Sequence, residues 1–415
     1  MSWVFRYKIS RFFNETFWVF PVAGVLLALV VGPLIRWADH HISFSLYVLS
    51  PEGARGILGP LVSALFTFVV FVISTLLLVT QLASSNLTPR VIHFVFNDNR
   101  GRIYLGIFTF SFTYSVEVLA RIDAVVPSLP LNLAIFLNVV SFILFFVFVQ
   151  NMGLRLQPSV IMENWAEKGR AVIEVLYPNP YTENIKTASQ EPNPTEDTNS
   201  RIIVQSGCSG FFIAFGMRDM IAEAKRVKGR IQIIPRVGDY VPRGEPMFRV
   251  FPANAPWSEN NLLSTVIFGV ERNVEQDPAY AFRLIVDVAS KALSPGVNDP
   301  TTAVMALEQI QSLLKMVGSR NLNFGEVRDE ENEIRLNYST PTWEQYVELG
   351  ISEIRLFGVS SLQIAQRLQV LLDYLMRVLP ESRHPPLQLE MELLHEMVKK
   401  HYDTFIDQKR ARMER

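Results

Sequence analysis

Four long apolar segments dominate the first 150 residues of the chain and predict membrane-spanning helices. They cover residues 17–35, 58–82, 103–126 and 131–149. Each is close to the roughly 20 residues that a helix needs to cross about 30 Å of hydrocarbon. The second segment carries no charged side chain. The sequence therefore predicts a helical membrane domain over residues 1–150.

Polar side chains recur at helical spacing within and just after the second apolar segment. Ser63, Thr67, Ser74, Gln81 and Ser85 fall within an arc of about 40° on a helix of about 3.6 residues per turn. We call these five residues the polar stripe. A narrow polar stripe on an apolar helix predicts that something other than lipid faces it.

The third apolar segment carries two ionisable residues, Glu117 and Arg121, in line with Thr109 and Thr113. Ionisable groups inside a bilayer are costly, and they usually face a bundle interior, a partner charge or water. Two interpretations stay open. Glu117 and Arg121 form a structural ion pair, or Thr109, Thr113 and Glu117 meet the polar stripe around a path for ions or a small solute.

Two further patterns concern the fourth segment and the orientation of the chain. Asn138 and Ser141 are typical of hydrogen bonds between membrane helices. Lysine and arginine residues precede the first segment, separate the second from the third, and follow the fourth. By the positive-inside rule, these regions and both termini are expected in the cytoplasm.

After residue 150 the pattern is that of a soluble α+β domain. Residues 151–200 predict a helix and then a mobile linker, because their second half holds few bulky side chains. Residues 201–258 contain short β-rich runs punctuated by Gly and Pro, which predict a small β-barrel-like module. Residues 259–415 predict a mainly helical cytoplasmic domain.

Three Asx-Pro or Thr-Pro pairs in the rear domain predict helix starts. Asp277-Pro278, Asp299-Pro300 and Thr340-Pro341 each fit an N-cap followed by the first helical residue. Between the last two, the acidic residues 326–335 predict a solvated loop.

Composition removes several function classes. The formal net charge is -1, so a nucleic-acid partner, which calls for a basic face, is not expected. Cys208 is the only cysteine, which excludes an intramolecular disulfide. Gly207–Phe211 lacks the closing glycine of a nucleophile elbow, and His395-Glu396 lacks the second histidine of a zincin. We therefore expect no catalytic residue, no cofactor and no metal site.

Residues 229–250 resemble the half-barrel of biotinyl and lipoyl carrier domains. In those domains a Gly-Asp-x-Val-x-x-Gly turn precedes a strand, and residues 238–244 match it. The carrier lysine lies in Met-Lys-Met or Asp-Lys-Ala, and neither tripeptide occurs in this sequence. A spacer or docking module is therefore the expected role.

The chain as a whole is similar to an uncharacterised family of predicted bacterial membrane proteins, a domain of unknown function. One family signature follows the second span and is matched by Gln81, Ser84, Ser85, Pro89 and Arg90. The other runs through Ser-Pro-Gly-x-Asn-Asp-Pro and is matched by Glu271, Arg272, Gln276, Asp277, Pro278, Ser290, Ala292, Leu293, Ser294, Pro295, Gly296, Asn298, Asp299 and Pro300. The resemblance implies four spans and a cytoplasmic rear domain in the inner membrane. It implies no activity.

Within the second signature, structural and functional interpretations both stay open. The turn at residues 294–300 has an evident structural use, with Gly296 at a positive φ and Asp299 capping the next helix. The alternative is a ligand or interface site in the cytoplasmic domain, formed by Arg272, Gln276, Ser294, Asn298 and Asp299.

Three function classes follow from these patterns. The first is an oligomeric inner-membrane channel for ions or a small solute, in which copies of the chain give the polar stripe a shared lumen and the cytoplasmic domain gates or assembles them. The second is a membrane-anchored scaffold or regulator whose cytoplasmic domain binds a protein partner. The third, a membrane-bound enzyme, is least favoured.

Overall fold

A computed structural model describes residues 3–41, 49–90, 92, 99–122, 126–155, 157–182, 199–205, 207, 209–322 and 325–413. The chain divides into two compact units. The front unit is Lys8–Ile161, and the rear unit combines Met1–Tyr7 with Met162–Arg415. The predicted linker, residues 183–200, lies almost wholly outside the described residues, as does Cys208.

Five helices make up most of the described part of residues 3–155. These helices are α1 (Trp3–Glu15), α2 (Val19–His41), α3 (Pro51–Asn86), α4 (Asn99–Leu119) and α5 (Ser128–Arg155). Helix α3 begins where Ser50 accepts a hydrogen bond from the Gly53 amide, with Pro51 as its first residue. Among the described residues, three helices are long and apolar enough to cross a membrane: Val19–His41, Pro51–Ser85 and Ser128–Gly153.

Close packing of α2 against α4 holds the front unit together. A Cβ atom added to Gly24 would lie 2.4 Å from the Gly106 carbonyl oxygen, so only glycine fits there. Ala28, one turn further along α2, is fully buried. Small residues at this spacing let two membrane helices approach closely, where packing rather than the hydrophobic effect drives association.

Hydrogen bonds join α4 to α5, as the sequence predicted for the fourth apolar segment. Asn138 Nδ2 donates to Ser115 Oγ at 2.9 Å, and Ser141 Oγ donates to Ser111 Oγ at 3.1 Å. All four side chains are buried. Since a polar group buried without a partner is costly, the pairing of these residues fixes the register of the two helices.

The described residues of the rear unit form eight strands in two sheets. The strands are β1 (Arg201–Val204), β2 (Gly210–Phe215), β3 (Arg230–Ile233), β4 (Tyr240–Val241), β5 (Pro246–Phe251), β6 (Val266–Gly269), β7 (Glu326–Arg328) and β8 (Ile334–Asn337). The larger sheet has the order β1-β5-β3-β8-β7 and the smaller one β4-β2-β6. Side chains from both sheets form one buried hydrophobic core, which includes Phe212, Phe248 and Leu336. The barrel-like closure predicted for residues 201–258 stays a prediction.

Helices make up most of the remaining rear unit. They are α6 (Pro158–Leu176), α7 (Met217–Arg226), α8 (Glu259–Leu263), α9 (Pro278–Ala292), α10 (Pro300–Gly318), α11 (Trp343–Val347), a π-helical turn (Glu348–Ser352), α12 (Glu353–Gly358), α13 (Leu362–Val378), a 3-10 turn (Glu381–Arg383), α14 (His384–His401) and α15 (Phe405–Ala411). The π-helical turn lies between α11 and α12 and interrupts their α-helical hydrogen bonding.

The prediction of a solvated loop at residues 326–335 is wrong. Its ends form the β7–β8 hairpin, and β8 pairs in parallel with β3. Asp329 explains the difference, because its carboxylate accepts hydrogen bonds from the Glu331 and Glu333 amides and from Arg335 Nε at 2.6 Å. These bonds close the turn, so the acidic sequence stabilises a hairpin.

Two of the three predicted helix starts are confirmed. The Asp277 and Asp299 carboxylates accept hydrogen bonds from the Tyr280 and Thr302 amides, respectively. The start predicted at Thr340-Pro341 is wrong, because Thr342 is the N-cap and forms a capping box with Gln345. The capping box satisfies two backbone amides.

We expect Gly24→Ala to destabilise the front unit by about 1 to 3 kcal/mol, because the new methyl group overlaps a backbone oxygen that has little room to move. Gly153→Ala on α5 is the matched control, since a Cβ atom there meets no atom within 4 Å. Thermal unfolding of the purified protein in one detergent compares the two. Equal shifts in Tm would contradict the close α2–α4 contact.

Candidate functional site

The polar stripe lies on the exposed side of α3. All five of its residues are exposed within the single chain. The residues of α3 that pack inside the front unit lie on the opposite side, roughly 180° away at about 3.6 residues per turn. They are Leu58, Leu65, Val72, Leu76 and Val79. The polar stripe therefore points away from the other helices of its own chain.

Three hydroxyl groups of the polar stripe donate hydrogen bonds to their own helix. Ser63 Oγ donates to the Gly59 carbonyl at 3.2 Å, Thr67 Oγ1 to the Ser63 carbonyl at 2.9 Å, and Ser85 Oγ to the Leu82 carbonyl at 3.0 Å. Each oxygen keeps lone pairs that accept a further hydrogen bond. These side chains can thus contact water or another helix without leaving a donor unpaired.

Glu117 on α4 faces α2. Its carboxylate lies 3.0 Å from Arg36 Nη2 and 3.4 Å from Arg121 Nη1. A Cβ atom on Gly32 would overlap the Glu117 carboxylate, so that glycine makes room for it. The structure thus brings the predicted Glu117 and Arg121 together. Arg36 on α2 is a second partner of Glu117 that the sequence did not predict, because it lies on a different helix.

The two threonines of α4 are half-buried. Thr109 Oγ1 lies 3.2 Å from the Pro21 carbonyl of α2 and 3.0 Å from two carbonyls of its own helix. Thr113 lies one turn further along α4. Thr109 and Glu117 therefore contact α2, while the polar stripe of α3 faces outward. Within one chain the structure does not bring these two sets together.

Charged side chains near Glu117 fix the ends of helices. Asp39 Oδ1 accepts hydrogen bonds from the Leu129 amide at 2.9 Å and from Ser128 Oγ at 3.4 Å, at the start of α5. Arg55 Nη2 donates to the Ile122 carbonyl just beyond α4. Asp39 and Arg55 therefore stabilise helix ends in this part of the front unit.

A cavity of about 560 Å³ lies within the rear unit. Its walls come from three separate segments, at residues 236–239, 272–283 and 341–356. They carry three arginines, namely Arg236, Arg272 and Arg283. Cavities of this size are typical of small-molecule sites.

An ion pair and a glycine shape one wall of this cavity. Arg272 Nε and Nη2 lie 2.9 and 2.7 Å from Asp277 Oδ2. Gly238 has a φ of +98°, and a Cβ atom there would lie 2.5 Å from Asp277 Oδ2 and 2.8 Å from Arg272 Nη2. Burial raises the pKa of the Asp277 carboxyl, although the adjacent Arg272 guanidinium opposes that shift.

Three of the five site residues predicted in the rear domain form side-chain hydrogen bonds to backbone groups, and a fourth lies in a tight turn. Gln276 exchanges two hydrogen bonds with the Phe215 backbone, at 3.1 and 3.3 Å. Ser294 Oγ donates to the Lys291 carbonyl at 2.6 Å, and Asp299 caps α10. Asn298 has a φ of +50°, so the expectation that Gly296 takes the positive φ is wrong. Asparagine tolerates this conformation better than most residues.

Only Arg272 of those five predicted residues lines the cavity. The other lining residues come from distant segments and carry no local motif, so the sequence does not predict them. Arg283 Nη1 lies 2.6 Å from Glu353 Oε2, and Arg236 Nη1 donates to Gln345 Oε1 at 2.8 Å. In the described part of the chain, no group of three or more His, Cys, Asp or Glu side chains is placed to hold a metal ion.

Three helices suited to crossing a bilayer, together with an α+β rear unit, define an integral membrane protein. The chain belongs to the family of predicted membrane proteins DUF2254, whose model matches residues 14–374. It is similar to uncharacterized protein Mb1321c of Mycobacterium bovis and to uncharacterized protein Rv1290c of Mycobacterium tuberculosis. Each is 25% identical over 406 residues, which cover 94% of this chain and 77% of the relative. No solved structure matches the chain.

We expect Gly238→Ala to destabilise the protein more than Gly244→Ala, by roughly 1 to 2 kcal/mol. Both glycines have a positive φ, at +98° and +91°, so both substitutions carry the same backbone strain. Only at residue 238 does the methyl group also displace the Arg272–Asp277 pair, since nothing lies within 4 Å of a Cβ atom at Gly244. Thermal unfolding of the two variants measures the difference. Equal destabilisation would contradict the close approach of Gly238 to the ion pair.

Proposed function

We propose that the protein is a homo-oligomeric membrane channel for ions or a small polar solute, lined by the polar stripe of α3. One observation carries this proposal, namely that the polar stripe lies opposite the packed side of α3. Lipid tails offer the polar stripe no hydrogen-bonding partner. Another copy of the chain offers hydroxyl and amide groups, or water held between the copies.

Apolar side chains flank the polar stripe on both sides of α3. Phe66, Val70 and Leu77 are exposed on one flank, and Phe71, Leu78 and Leu82 are exposed on the other. These flanks suit contact with lipid or with a neighbouring subunit. Several copies related by cyclic symmetry would bring their polar stripes together around the axis while the flanks seal the interfaces.

Helix α4 supports a bundle of four spans. It contacts α2, α3 and α5, which are the three helices in the described part of the chain that can cross a membrane by length and composition. Its 21 residues extend about 31 Å at about 1.5 Å per residue, close to the thickness of the hydrocarbon core. Four spans return the chain to its starting side. With the distribution of basic residues, this favours cytoplasmic termini in a bacterial inner membrane.

The second candidate is a membrane-anchored scaffold or regulator without conduction, whose cytoplasmic domain binds a protein partner. The hydrogen bonds of Ser63, Thr67 and Ser85 within α3 favour it, because hydroxyls bonded to their own helix are tolerated in lipid. In that case the polar stripe either mediates helix association or has no role in an interface. Flux measurements separate the two candidates.

Ser74→Cys in a Cys208→Ser background is expected to form disulfide-linked or maleimide-linked dimers in the membrane. The reason is that residues near a symmetry axis approach their counterparts in other copies. Ile73→Cys in the same background is the matched control, because this neighbouring exposed residue points about 100° away from Ser74. Gel electrophoresis after cross-linking reports the result. Equal or preferential cross-linking of Ile73→Cys would refute an axis at the polar stripe.

Replacing Thr67 and Ser74 together by leucine is expected to lower ion flux by about tenfold or more, since it removes hydrogen-bonding groups worth roughly 1 kcal/mol each from the pathway. Flux into proteoliposomes, tested with potassium and chloride, measures this effect against Ile73→Leu.

Glu117→Gln provides a contrast, because Glu117 pairs with Arg36 and Arg121 within the chain. It is expected to lower Tm without changing the selectivity of the flux. An oligomer that cross-links through Ser74→Cys but conducts no ion or solute would favour the scaffold instead.

A further inference from the structure

Helix α1 carries two apolar sides that face in roughly opposite directions. One side contains Trp3 and Tyr7, which are partly buried and whose ring centroids lie 5.3 Å apart. The other side contains Phe5, Ile9 and Phe12, which are all exposed within the single chain. At about 100° per residue, the exposed side lies roughly 180° from the partly buried one. A helix that faced only water on its outer side would carry polar residues there.

The partly buried side of α1 packs against the smaller sheet of the rear unit. Trp3 and Tyr7 lie against a buried cluster that includes Ile213 on β2 and Ile267 on β6. Asn273 Nδ2 also donates a hydrogen bond to the Tyr7 hydroxyl at 3.2 Å. These contacts fix how α1 is rotated about its own axis. The exposed apolar side is therefore held outward.

The composition of α1 matches that of helices that lie in a membrane surface. Its 13 residues include three basic ones, Arg6, Lys8 and Arg11, and one acidic one, Glu15. The side chain of Arg6 is exposed. Interfacial helices combine exposed aromatic and aliphatic side chains, which enter the boundary between headgroups and acyl chains, with Lys and Arg, which attract anionic headgroups.

The exposed side of α1 is continuous with the beginning of a helix suited to crossing the membrane. Helix α1 ends at Glu15, and α2 begins at Val19. Between them, Trp18 is 56% exposed, and its ring meets the Phe12 ring edge to face, with 6.2 Å between the centroids. An exposed tryptophan at the end of a span is typical of the membrane–water interface. Because Phe12 contacts this ring, lipid at the start of α2 also borders the exposed side of α1.

A buried arginine holds the last turn of α1 close to the start of α2. Arg102 on α4 is 1% exposed, and its Nη1 donates to the Phe13 carbonyl at 3.1 Å. Carbonyl groups in the last turn of a helix lack partners within that helix, so this bond stabilises the end of α1. The same guanidinium lies over the Phe20 ring of α2, 5.5 Å from its centroid.

We propose that the exposed side of α1, formed by Phe5, Ile9 and Phe12, inserts into the surface of an anionic lipid bilayer. A bilayer is favoured over a protein partner because it already surrounds the adjoining span. The proposal concerns α1 alone and does not depend on conduction along the polar stripe. Lipid composition would then act on a helix whose other side holds strands β2 and β6.

The test measures where labels on α1 lie in the full chain, reconstituted in nanodiscs in a Cys208→Ser background. Bimane attached to Ile9→Cys or Phe12→Cys is quenched by lipids brominated in their acyl chains or by iodide in water. We expect strong quenching by the brominated lipids and weak quenching by iodide. Leu26→Cys on α2 is the reference for lipid, and Glu330→Cys, at a side chain that is 94% exposed in the β7–β8 turn, is the reference for water.

A pair of double variants tests the apolar side chains. Phe5→Ser with Phe12→Ser should lower acyl-chain quenching of the Ile9→Cys label by about twofold or more, because it removes the aromatic groups on either side of that label. Phe357→Ser with Leu389→Ser is the matched control, since it changes two similarly exposed residues elsewhere in the rear unit. It should leave the quenching unchanged.

The charge of the bilayer tests the basic residues. Replacing about one-third of a phosphatidylcholine bilayer by phosphatidylglycerol should raise acyl-chain quenching of the Ile9→Cys label by about twofold. Arg6→Gln should reduce that increase. Arg243→Gln makes the same change of charge at an exposed turn of the rear unit and should not reduce it.

Three results would overturn the proposal. Iodide quenching as strong at Ile9→Cys and Phe12→Cys as at Glu330→Cys would mean that this side of α1 faces water. Protection from both quenchers would mean that protein covers it, whether a second copy of the chain or another partner. Equal acyl-chain quenching in the neutral and the anionic bilayer would exclude recognition of anionic lipid.

Discussion

A polar group in hydrocarbon must find a partner, and this constraint orders the front unit. Asn138 and Ser141 on α5 are bonded to two serines of α4. Glu117 is paired with Arg36 across the α2–α4 contact. The polar side chains of the stripe on α3 face away from the chain's own helices. Its outward direction is the basis for inferring a second copy of the chain there.

The rear unit uses the same pairing to build a cavity. The Arg272–Asp277 ion pair is packed against Gly238, where any larger residue would separate its members. Arg283 is held between two carboxylates. Arg236 donates to the neutral side-chain amide of Gln345. Ion pairs thus hold two of the three arginines of the cavity wall in place.

Local chemistry was predictable from the sequence, and long-range pairing was not. The apolar segments and the Asp277 and Asp299 caps depend on neighbours within a few residues, which a sequence displays directly. The β7–β8 hairpin was missed for two reasons: the Asp329 side chain closes its turn, and β8 also pairs with β3, about 100 residues away in the chain.

The same reason explains the missed site residues. Arg36 lies on a different helix from Glu117, and the three arginines of the cavity come from three segments that only the folded chain brings together. The polar stripe was predictable as a pattern, since it follows helical periodicity alone. Its orientation relative to the packed side of α3 required the structure.

The central claim is that the polar stripe avoids lipid. Spin labels placed singly along α3 at residues 63, 66, 67, 73, 74 and 82 would measure it by electron paramagnetic resonance, from their collision rates with oxygen and with a water-soluble nickel complex. We predict low oxygen and high nickel accessibility at residues 63, 67 and 74, and the reverse at residues 66, 73 and 82. Oxygen accessibility as high at the polar stripe as on its apolar flank would contradict it.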